Sequence, residues 1–278
     1  MPELPEVETI RRDLIPRVVG RTITGVRVAP GAERVVRGDN AFARRITGRR
    51  IDDLARRGKY LLFQLDGDPA PVYIAVHLRM TGSLLCRPPR ADPPDAYVRA
   101  VITLDDGSEL RYADLRKLGQ MWLVDSPEEA VGALGPEPLD AAFTAAKLRE
   151  TLSRRRAPIK AVLLDQRAVA GLGNIYADEA LFAARIHPRR LANTLTQEEV
   201  KRLHRAVRRV LNDALGNRGS SFRDYVDGAG REGTHQLRVK VFRRTGQPCY
   251  VCGAKMARIK VGGRSTHFCP RCQRAGAT

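Results

Sequence analysis

The sequence has few aromatic residues and no long apolar run. Phe, Trp and Tyr together make up 5% of its 278 residues. No apolar stretch approaches the roughly 20 residues that a membrane-spanning helix needs, and no basic segment followed by an apolar one opens the chain as a secretion signal would. These absences argue against an integral membrane protein and predict a soluble, cytoplasmic one.

Acidic residues are also scarce. Against 49 Lys and Arg there are 31 Asp and Glu, which leaves a formal net charge of +18. The excess is concentrated in residues 231–278, where 11 basic residues stand against one acid and leave a local charge of +10. Because a chain of this kind attracts polyanions, we expect it to bind nucleic acid, chiefly through its C-terminal end.

Cysteine occurs five times, and four of these residues form two C-x-x-C pairs near the end: Cys249 with Cys252, and Cys269 with Cys272. A secreted disulfide framework would spread its cysteines along the chain. Two thiolate pairs separated by 16 residues match the spacing of a tetrahedral zinc site. We therefore predict one structural Zn²⁺ per chain, with two disulfides as the alternative, and Cys86 as a small core residue.

Apolar periodicity differs between the two halves of the chain. Helical spacing predicts a first helix from Glu3 to about Val18. Short alternating runs separated by Gly, Asp and Pro then predict a β-sandwich. Its clearest strands are Tyr60–Leu65, Val72–Leu78, Val98–Leu104 and Met121–Val124.

The second half has the pattern of helices. Ile159–Leu164 and Ile175–Arg185 are predicted as short helices, and Thr196 with Glu199 forms a capping box that begins a longer one. The fold class is thus α+β and multidomain. We predict a catalytic β-sandwich domain with the N-terminal helix at 1–133, a hinge at 134–139, a helical DNA-binding domain at 140–240 and a zinc finger at 241–278.

The amino terminus carries possible chemistry. If the initiator methionine is removed, Pro2 has a free secondary amine, and such an amine is partly neutral near pH 7. Attack on a sugar C1′ would give an iminium that acidifies the C2′ hydrogens, which couples base release to strand cleavage. Glu3 could supply a proton. The alternative is structural, because Pro and acids are common at helix starts.

Five motifs follow one another along the chain: PELPEVET at 2–9, RRGKYLL at 56–62, HLRMTG at 77–82, GNIYADEALF at 173–182 and FCPRCQ at 268–273. Together they resemble the formamidopyrimidine-DNA glycosylases, bacterial enzymes that remove 8-oxoguanine. The related endonuclease VIII branch typically has glycine at the position of Leu4, so the resemblance favours the branch that acts on purine lesions.

The resemblance implies roles for individual residues. Pro2 would be the Schiff-base nucleophile and Glu3 the proton donor for base release. Lys59 matches a family lysine that contacts phosphate and is implicated in β-elimination. Arg264 matches a finger arginine implicated in δ-elimination. Considered without the resemblance, both cations would be ordinary solvated side chains.

The resemblance also implies a DNA-contacting set: Met80, Arg116, Leu118, Arg155 and Asn174. The first three align with residues that fill the duplex after the damaged nucleotide is turned out, and Arg116 would bind the orphaned cytosine. The last two align with contacts to the DNA backbone, Asn174 at a helix N-terminus that can bind phosphate. Considered alone, Met80 and Leu118 would be core residues.

Several positions depart from the family pattern: Leu118 replaces an aromatic residue, Leu115 a proline, Lys117 an arginine, Arg79 a glycine and Asp95 a histidine. These departures leave the preferred lesion and the preferred opposite base open. The loop Gly219–Gly233 resembles the segment that covers the lesion in the family.

The predicted function is base-excision repair of oxidised purines, namely 8-oxoguanine and formamidopyrimidines, in duplex DNA. Glycosidic cleavage through Pro2 would be followed by β,δ-elimination at the abasic site. We expect a monomer that binds DNA with oxidised bases or abasic sites, in the cytoplasm of a bacterium and associated with its nucleoid. The alternatives are an endonuclease VIII-like enzyme for oxidised pyrimidines and a non-catalytic zinc protein that binds nucleic acid.

Overall fold

The computed structural model describes residues 2–67, 70–89 and 96–275, so the departure at Asp95 lies outside the described residues. The chain divides into two compact units. Unit 1 comprises Met1–Gly132 and Asn217–Gln236, and unit 2 comprises Ala133–Gly216 and Leu237–Thr278. The domain limits predicted from the sequence stay a prediction. We call Asn217–Gln236 the return segment, because it follows the helices of unit 2 and yet belongs to unit 1.

Unit 1 is built from helices and antiparallel strands. Its helices are α1 (Leu4–Val18), α2 (Asp39–Ile46) and α3 (Pro127–Val131). Its strands are β1 (Ile23–Val28), β2 (Ile51–Arg57), β3 (Tyr60–Leu65), β4 (Val72–His77), β5 (Gly82–Arg87), β6 (Val98–Leu104), β7 (Glu109–Asp114) and β8 (Gln120–Val124).

The strands form two sheets, one with the order β1-β6-β7-β5 and the other with the order β2-β3-β4-β8. One apolar core receives buried side chains from both sheets and from α1, which confirms the predicted β-sandwich. β3 and β6 have their predicted bounds. Strands β1, β2, β5 and β7 were not among those named from the sequence, and β2 and β7 carry several charged residues. In β7, for example, Arg111 is buried and bonds to Glu109 at 2.7 Å.

Helix α1 confirms the first predicted helix. Ion pairs of Glu8 attach one side of this helix to strand β2. Glu8 is 7% exposed and accepts hydrogen bonds from Arg11, Arg12 and Arg56 at 2.9 to 3.1 Å. Burial by itself would raise the pKa of Glu8, but the three guanidinium groups lower it to about 2. Arg56 also donates to the carbonyl oxygen of Gly58 at 2.9 Å. Glu8 therefore fixes both the helix and the turn that follows β2.

Unit 2 contains α4 (Ala145–Ser153), α5 (Ile159–Leu164), α6 (Asn174–Ala184), α7 (Gln197–Gly216), β9 (Ala257–Val261) and β10 (Arg264–Phe268). The predicted capping box is present, since the Thr196 hydroxyl accepts from the Glu199 N–H and the Glu199 carboxylate from the Thr196 N–H. Between α5 and α6 the side chain of Gln166 bonds to the backbone of Leu164, Gly171 and Leu172. The chain between the two helices is thereby held in a fixed path.

The charge cluster at Glu8 predicts a pH-dependent contribution to stability. We expect Glu8→Gln to lower the free energy of unfolding by about 3 kcal/mol at pH 7, because it leaves the largely buried guanidinium of Arg56 and the partly buried one of Arg11 without their anion. Since the folded-state pKa lies below the ordinary value of 4.5, the contribution is complete above that pH and is lost as the pH falls toward 2.

Denaturant unfolding of both proteins between pH 7 and pH 2 measures this difference, with the exposed Glu128→Gln as the matched control. A difference that stays constant over this range would show that the carboxylate charge of Glu8 is not its source.

Candidate active site and zinc centre

The first residues of the chain are fixed in the fold. Pro2 is buried, and Glu3 is 2% exposed. The carboxylate of Glu6 accepts from the Glu3 N–H at 2.8 Å, and its other oxygen accepts from the N–H of Ser220 in the return segment, also at 2.8 Å. Chain termini usually fray, so this one is held unusually well. The arrangement gives Pro2 and Glu3 a defined position.

Lys59 lies in the turn that joins β2 to β3, and it is 7% exposed. Gly58 adopts a positive φ of 56°, which suits glycine, and its carbonyl oxygen receives the hydrogen bond from Arg56. The interpretation of Lys59 as an ordinary solvated lysine is therefore wrong. A buried ammonium group is uncommon and suggests a functional position.

His77 is a further candidate that the sequence interpretation left out. It ends β4 opposite Tyr60, the residue after Lys59. Burial, followed by the charges of Arg79 and Lys59, lowers the pKa of His77 to about 3, so the ring is neutral. Its Nδ1 accepts from the Arg79 N–H at 3.1 Å, which leaves the Nε2 hydrogen to donate. Its place at the start of the HLRMTG motif, two residues before Arg79, was the available signal.

Asp114 organises two neighbouring loops of unit 1. It is 1% exposed, and its carboxylate accepts from the Thr81 hydroxyl at 2.5 Å, the Arg116 N–H at 3.1 Å and the Gly119 N–H at 2.7 Å. A carboxylate with several donors of this kind rigidifies the backbone around it. The loops before β5 and before β8 are consequently held together.

Three apolar side chains are exposed on these loops: Met80 at 42%, Leu115 at 49% and Leu118 at 40%. The expectation that Met80 and Leu118 belong to the core is therefore wrong. A guanidinium nitrogen of Arg116 lies 3.8 Å from the sulfur of Met80. The structure thus brings together Met80 and Arg116 and places Leu118 on the same loop pair. Leu115 was not among the predicted contacts, although it directly precedes Arg116.

Two of the departures from the family pattern occupy left-handed backbone. Arg79 has φ 53° and Lys117 has φ 52°. At position 79 this explains why glycine is common, since glycine adopts positive φ without the strain that a side chain adds. Lys117 is anchored, because its ammonium group donates to the carbonyl oxygen of Gly31 at 2.9 Å. Strain of this kind is typical of functional loops.

The four predicted zinc ligands are brought together. The sulfur atoms of Cys249, Cys252, Cys269 and Cys272 all lie within 4.8 Å of one another, and none forms a disulfide. The pairs Cys249–Cys272 and Cys252–Cys269 are 3.9 and 3.4 Å apart. A tetrahedron with Zn–S bonds of about 2.3 Å has edges of about 3.8 Å, so the cluster fits Zn²⁺. Cys86 is separate from it and buried, as predicted.

The chain before and between the cysteine pairs is attached to α6 by buried acids. Asp178 bonds to the ammonium of Lys160 at 2.5 Å and to the N–H of His267 in β10 at 2.9 Å. The carbonyl oxygen of Ser265 accepts from Lys160 at 3.2 Å and from the Asn174 amide at 3.0 Å. Sequence reasoning quoted Asp178 only as part of a motif. Its partners are distant in sequence and gave no local signal.

Glu179 fixes the backbone segment that precedes the zinc finger. Its carboxylate accepts from the backbone N–H groups of Lys240, Val241 and Phe242 at 2.8 to 2.9 Å. Burial raises its pKa despite these bonds. Farther along, β9 and β10 form a hairpin, with Gly262 and Gly263 at its tip. Arg264 is exposed directly after that tip.

Comparison with known proteins agrees with this geometry. Three family models match: the formamidopyrimidine-DNA glycosylase N-terminal domain at residues 1–121, the formamidopyrimidine-DNA glycosylase H2TH domain at 134–225, and the zinc finger found in FPG and IleRS at 246–275. A formamidopyrimidine-DNA glycosylase of Heliobacterium modesticaldum is 48% identical over 280 residues, which cover 99% of this chain and 100% of the relative. This chain belongs to the formamidopyrimidine-DNA glycosylase family.

Solved structures of family members resemble this member over nearly its whole length. The complex between Lactococcus lactis Fpg and DNA containing an abasic site has a TM-score of 0.88 and 37% identity, and covers 98% of this chain and 100% of that one. MutM in complex with DNA containing carbocyclic 8-oxo-G has a TM-score of 0.88 and 38% identity, and covers 99% and 100%.

The side chain of Arg155 is 42% exposed and forms an ion pair with Asp165 at 3.0 Å. Its predicted contact with DNA stays a prediction. Among the described residues no helix is long and apolar enough to cross a membrane.

The zinc centre predicts a selective effect of metal removal. We expect Cys249→Ser to lose the bound Zn²⁺ and to unfold residues 246–275, because a segment this small depends on its metal for folding. Cys86→Ala is the matched control and should keep one Zn²⁺ per chain. Metal analysis of the purified proteins, combined with amide hydrogen exchange, measures both effects. Full Zn²⁺ content in Cys249→Ser would contradict the assignment of the ligand.

Proposed function

We propose that this chain removes oxidised purines from duplex DNA and then cleaves the abasic strand, with Pro2 as the nucleophile. Membership of the family supports the reaction class. The MutM and Fpg structures that resemble it contain DNA with carbocyclic 8-oxo-G, an analogue of the damaged nucleotide, and DNA with an abasic site, the product of base removal. The observation that carries the assignment of residues is the buried, hydrogen-bonded amino terminus at Pro2 and Glu3.

Base release follows from the chemistry of that terminus. Once Met1 is removed, the amine of Pro2 attacks C1′ of the damaged nucleotide, and the glycosidic bond breaks with its electron pair passing to the base. The proton that the amine nitrogen loses on attack neutralises the departing base. Glu3 donates a proton to the ring oxygen O4′, the C1′–O4′ bond breaks, and nitrogen and C1′ form an iminium. Because the amine is secondary, the iminium carries a positive charge without further protonation.

Strand cleavage follows from the iminium. It withdraws electrons and acidifies C2′, so removal of a C2′ proton expels the 3′ phosphate, and a second elimination expels the 5′ phosphate. Lys59 is suited to assist the first elimination, since it is a buried cation next to the neutral His77. Arg264 is suited to hold phosphate for the second, since it is exposed beside the hairpin tip. Zn²⁺ would be structural and would order that hairpin.

The remaining contacts to DNA are assigned by their exposure and placement. Met80 and Leu118 would enter the vacancy left by the turned-out nucleotide, and Arg116 would bind the base opposite. Asn174, at the start of α6, would contact phosphate, and Arg155 would add charge along the DNA backbone.

The strength of DNA binding should depend on salt. A plot of the logarithm of the binding constant against the logarithm of the salt concentration should have a slope of about −0.9 for each phosphate contacted. The bacterial cytoplasm, at the nucleoid, is the proposed location.

Borohydride trapping tests the nucleophile. We expect wild-type protein incubated with 8-oxoguanine duplex and borohydride to form a covalent complex, with peptide mass spectrometry locating the DNA adduct on Pro2. Pro2→Gly should trap at least about tenfold less, because the secondary amine is lost. Pro16→Ala, an exposed proline of α1, is the matched control and should trap like wild type.

Two outcomes would overturn this assignment. One is equal trapping by Pro2→Gly, and the other is full activity of a preparation whose intact mass shows that Met1 is retained. A duplex with thymine glycol distinguishes the branches, since faster release of that base than of 8-oxoguanine would favour the endonuclease VIII-like alternative. Binding of DNA without any base release would favour the non-catalytic one.

A further inference from the structure

The return segment is closed at its neck by backbone hydrogen bonds. The Thr234 N–H donates to the Asn217 carbonyl oxygen at 2.9 Å, and the His235 N–H donates to that of Gly219 at 3.0 Å. The residues between these pairs form a compact loop whose ends are close together, which is typical of an Ω-loop. The loop is therefore a unit that can be held or released as a whole.

Two contacts attach this loop to the helix that carries the amino terminus. The Ser220 N–H donates to Glu6 at 2.8 Å, and Tyr225 is 7% exposed within the apolar core of unit 1. The Tyr225 hydroxyl donates to the Arg218 carbonyl oxygen at 3.1 Å. The loop thus begins one hydrogen bond from the carboxylate that also holds Glu3.

A charge cluster makes a third attachment. Arg218 bonds to Asp227 within the return segment and to Asp13 of α1, the latter at 2.5 Å. Asp227 is 0% exposed, and its other oxygen accepts from the N–H groups of Ala229 and Arg231 at 2.9 and 3.0 Å. One guanidinium thus serves two carboxylates that lie in different parts of the chain.

Arg218 occupies this place at a conformational cost. Its φ is 59°, in the left-handed region that favours glycine. A strained arginine persists when its surroundings determine its position, and here Asp13 and Asp227 do so. Burial would raise the pKa of Asp227, but the hydrogen bonds from Arg231, Arg218 and Ala229 keep it lowered. Without Arg218, Asp227 would keep the guanidinium of Arg231 at 3.1 Å, whereas Asp13 would keep the Gly228 N–H at 3.2 Å and lose the guanidinium that joins it to the return segment.

We propose that Arg218 and Asp13 are positioning residues for release of the damaged base, because they hold the return segment against α1 and with it the Ser220 N–H that anchors Glu6 and, through Glu6, Glu3. The inference rests on the proposed function and deepens it. An abasic nucleotide has no base to release and therefore does not need the proton from Glu3. Loss of the attachment should therefore slow base excision and spare cleavage at an abasic site.

Single-turnover kinetics on two duplexes test this proposal, one with 8-oxoguanine and one with an abasic site. We expect Arg218→Ala and Arg218→Gly to lower the rate of base excision at least about tenfold, since a loosened return segment leaves Glu3 out of its productive geometry. Abasic cleavage should stay within about twofold. The glycine variant keeps the left-handed backbone unstrained, so it separates the loss of the charge from strain.

Arg209→Ala is the matched control. It removes one exposed positive charge from α7, so it matches the change in net charge of the Arg218 variants without touching the return segment. It should retain both rates. Asp13→Asn, which removes one of the two carboxylates, should lower base excision in the same direction as the Arg218 variants.

Amide hydrogen exchange of the DNA-free protein supplies a readout independent of activity. We expect faster exchange in residues 219–233 of the Arg218 variants and unchanged exchange in β3 and β6. Equal loss on both duplexes, no loss in Arg218→Gly, or unchanged exchange in the loop would overturn the proposal. If wild-type protein cleaves neither duplex, the proposed function fails, and the exchange data still decide whether Arg218 attaches the loop.

Discussion

The carboxylate of Glu6 is the constraint on which the arrangement of unit 1 depends. It is buried, and each of its oxygens accepts a backbone N–H, one from Glu3 and one from Ser220. A buried charge that loses a donor is costly, so neither segment can leave without weakening the other's anchor. The same carboxylate explains Gly219, where an added Cβ would lie 2.8 Å from a Glu6 oxygen. The amino terminus and the return segment are thereby joined.

A second acid of helix α1, Glu8, fixes the position of Lys59 in the same way. Glu8 holds Arg56, Arg56 holds the carbonyl oxygen of Gly58, and the next residue is Lys59. The helix therefore carries the proposed nucleophile at its start and, one turn later, fixes the hairpin with the proposed cation for elimination. Acids in the first turns of a helix usually stabilise its dipole. In this chain two of them, Glu6 and Glu8, are buried and also position groups that are proposed to act on DNA.

Some residues of the site were predictable from the sequence and some were not. The difference is how far apart in the sequence the interacting residues lie. The zinc ligands follow from their spacing, because each pair acts within one turn. The acids that attach the finger, Asp178 and Glu179, bond to residues about 60 to 90 positions away, so no local pattern reveals them. Met80 and Leu118 show another limit. Their apolar character suggests a core position, whereas the structure exposes both side chains, and the contact with DNA that the resemblance implies stays a prediction.

The sequence by itself determined the elements that depend on neighbouring residues: α1, strands β3 and β6, the capping box of α7, the zinc ligands and the presence of a possible amine at Pro2. Only the tertiary structure decided that Lys59 is buried, that His77 is neutral and that the return segment belongs to unit 1. The physical reason is that burial, charge proximity and shared hydrogen bonds arise between residues far apart in the chain. Periodicity and spacing report only what adjacent residues do.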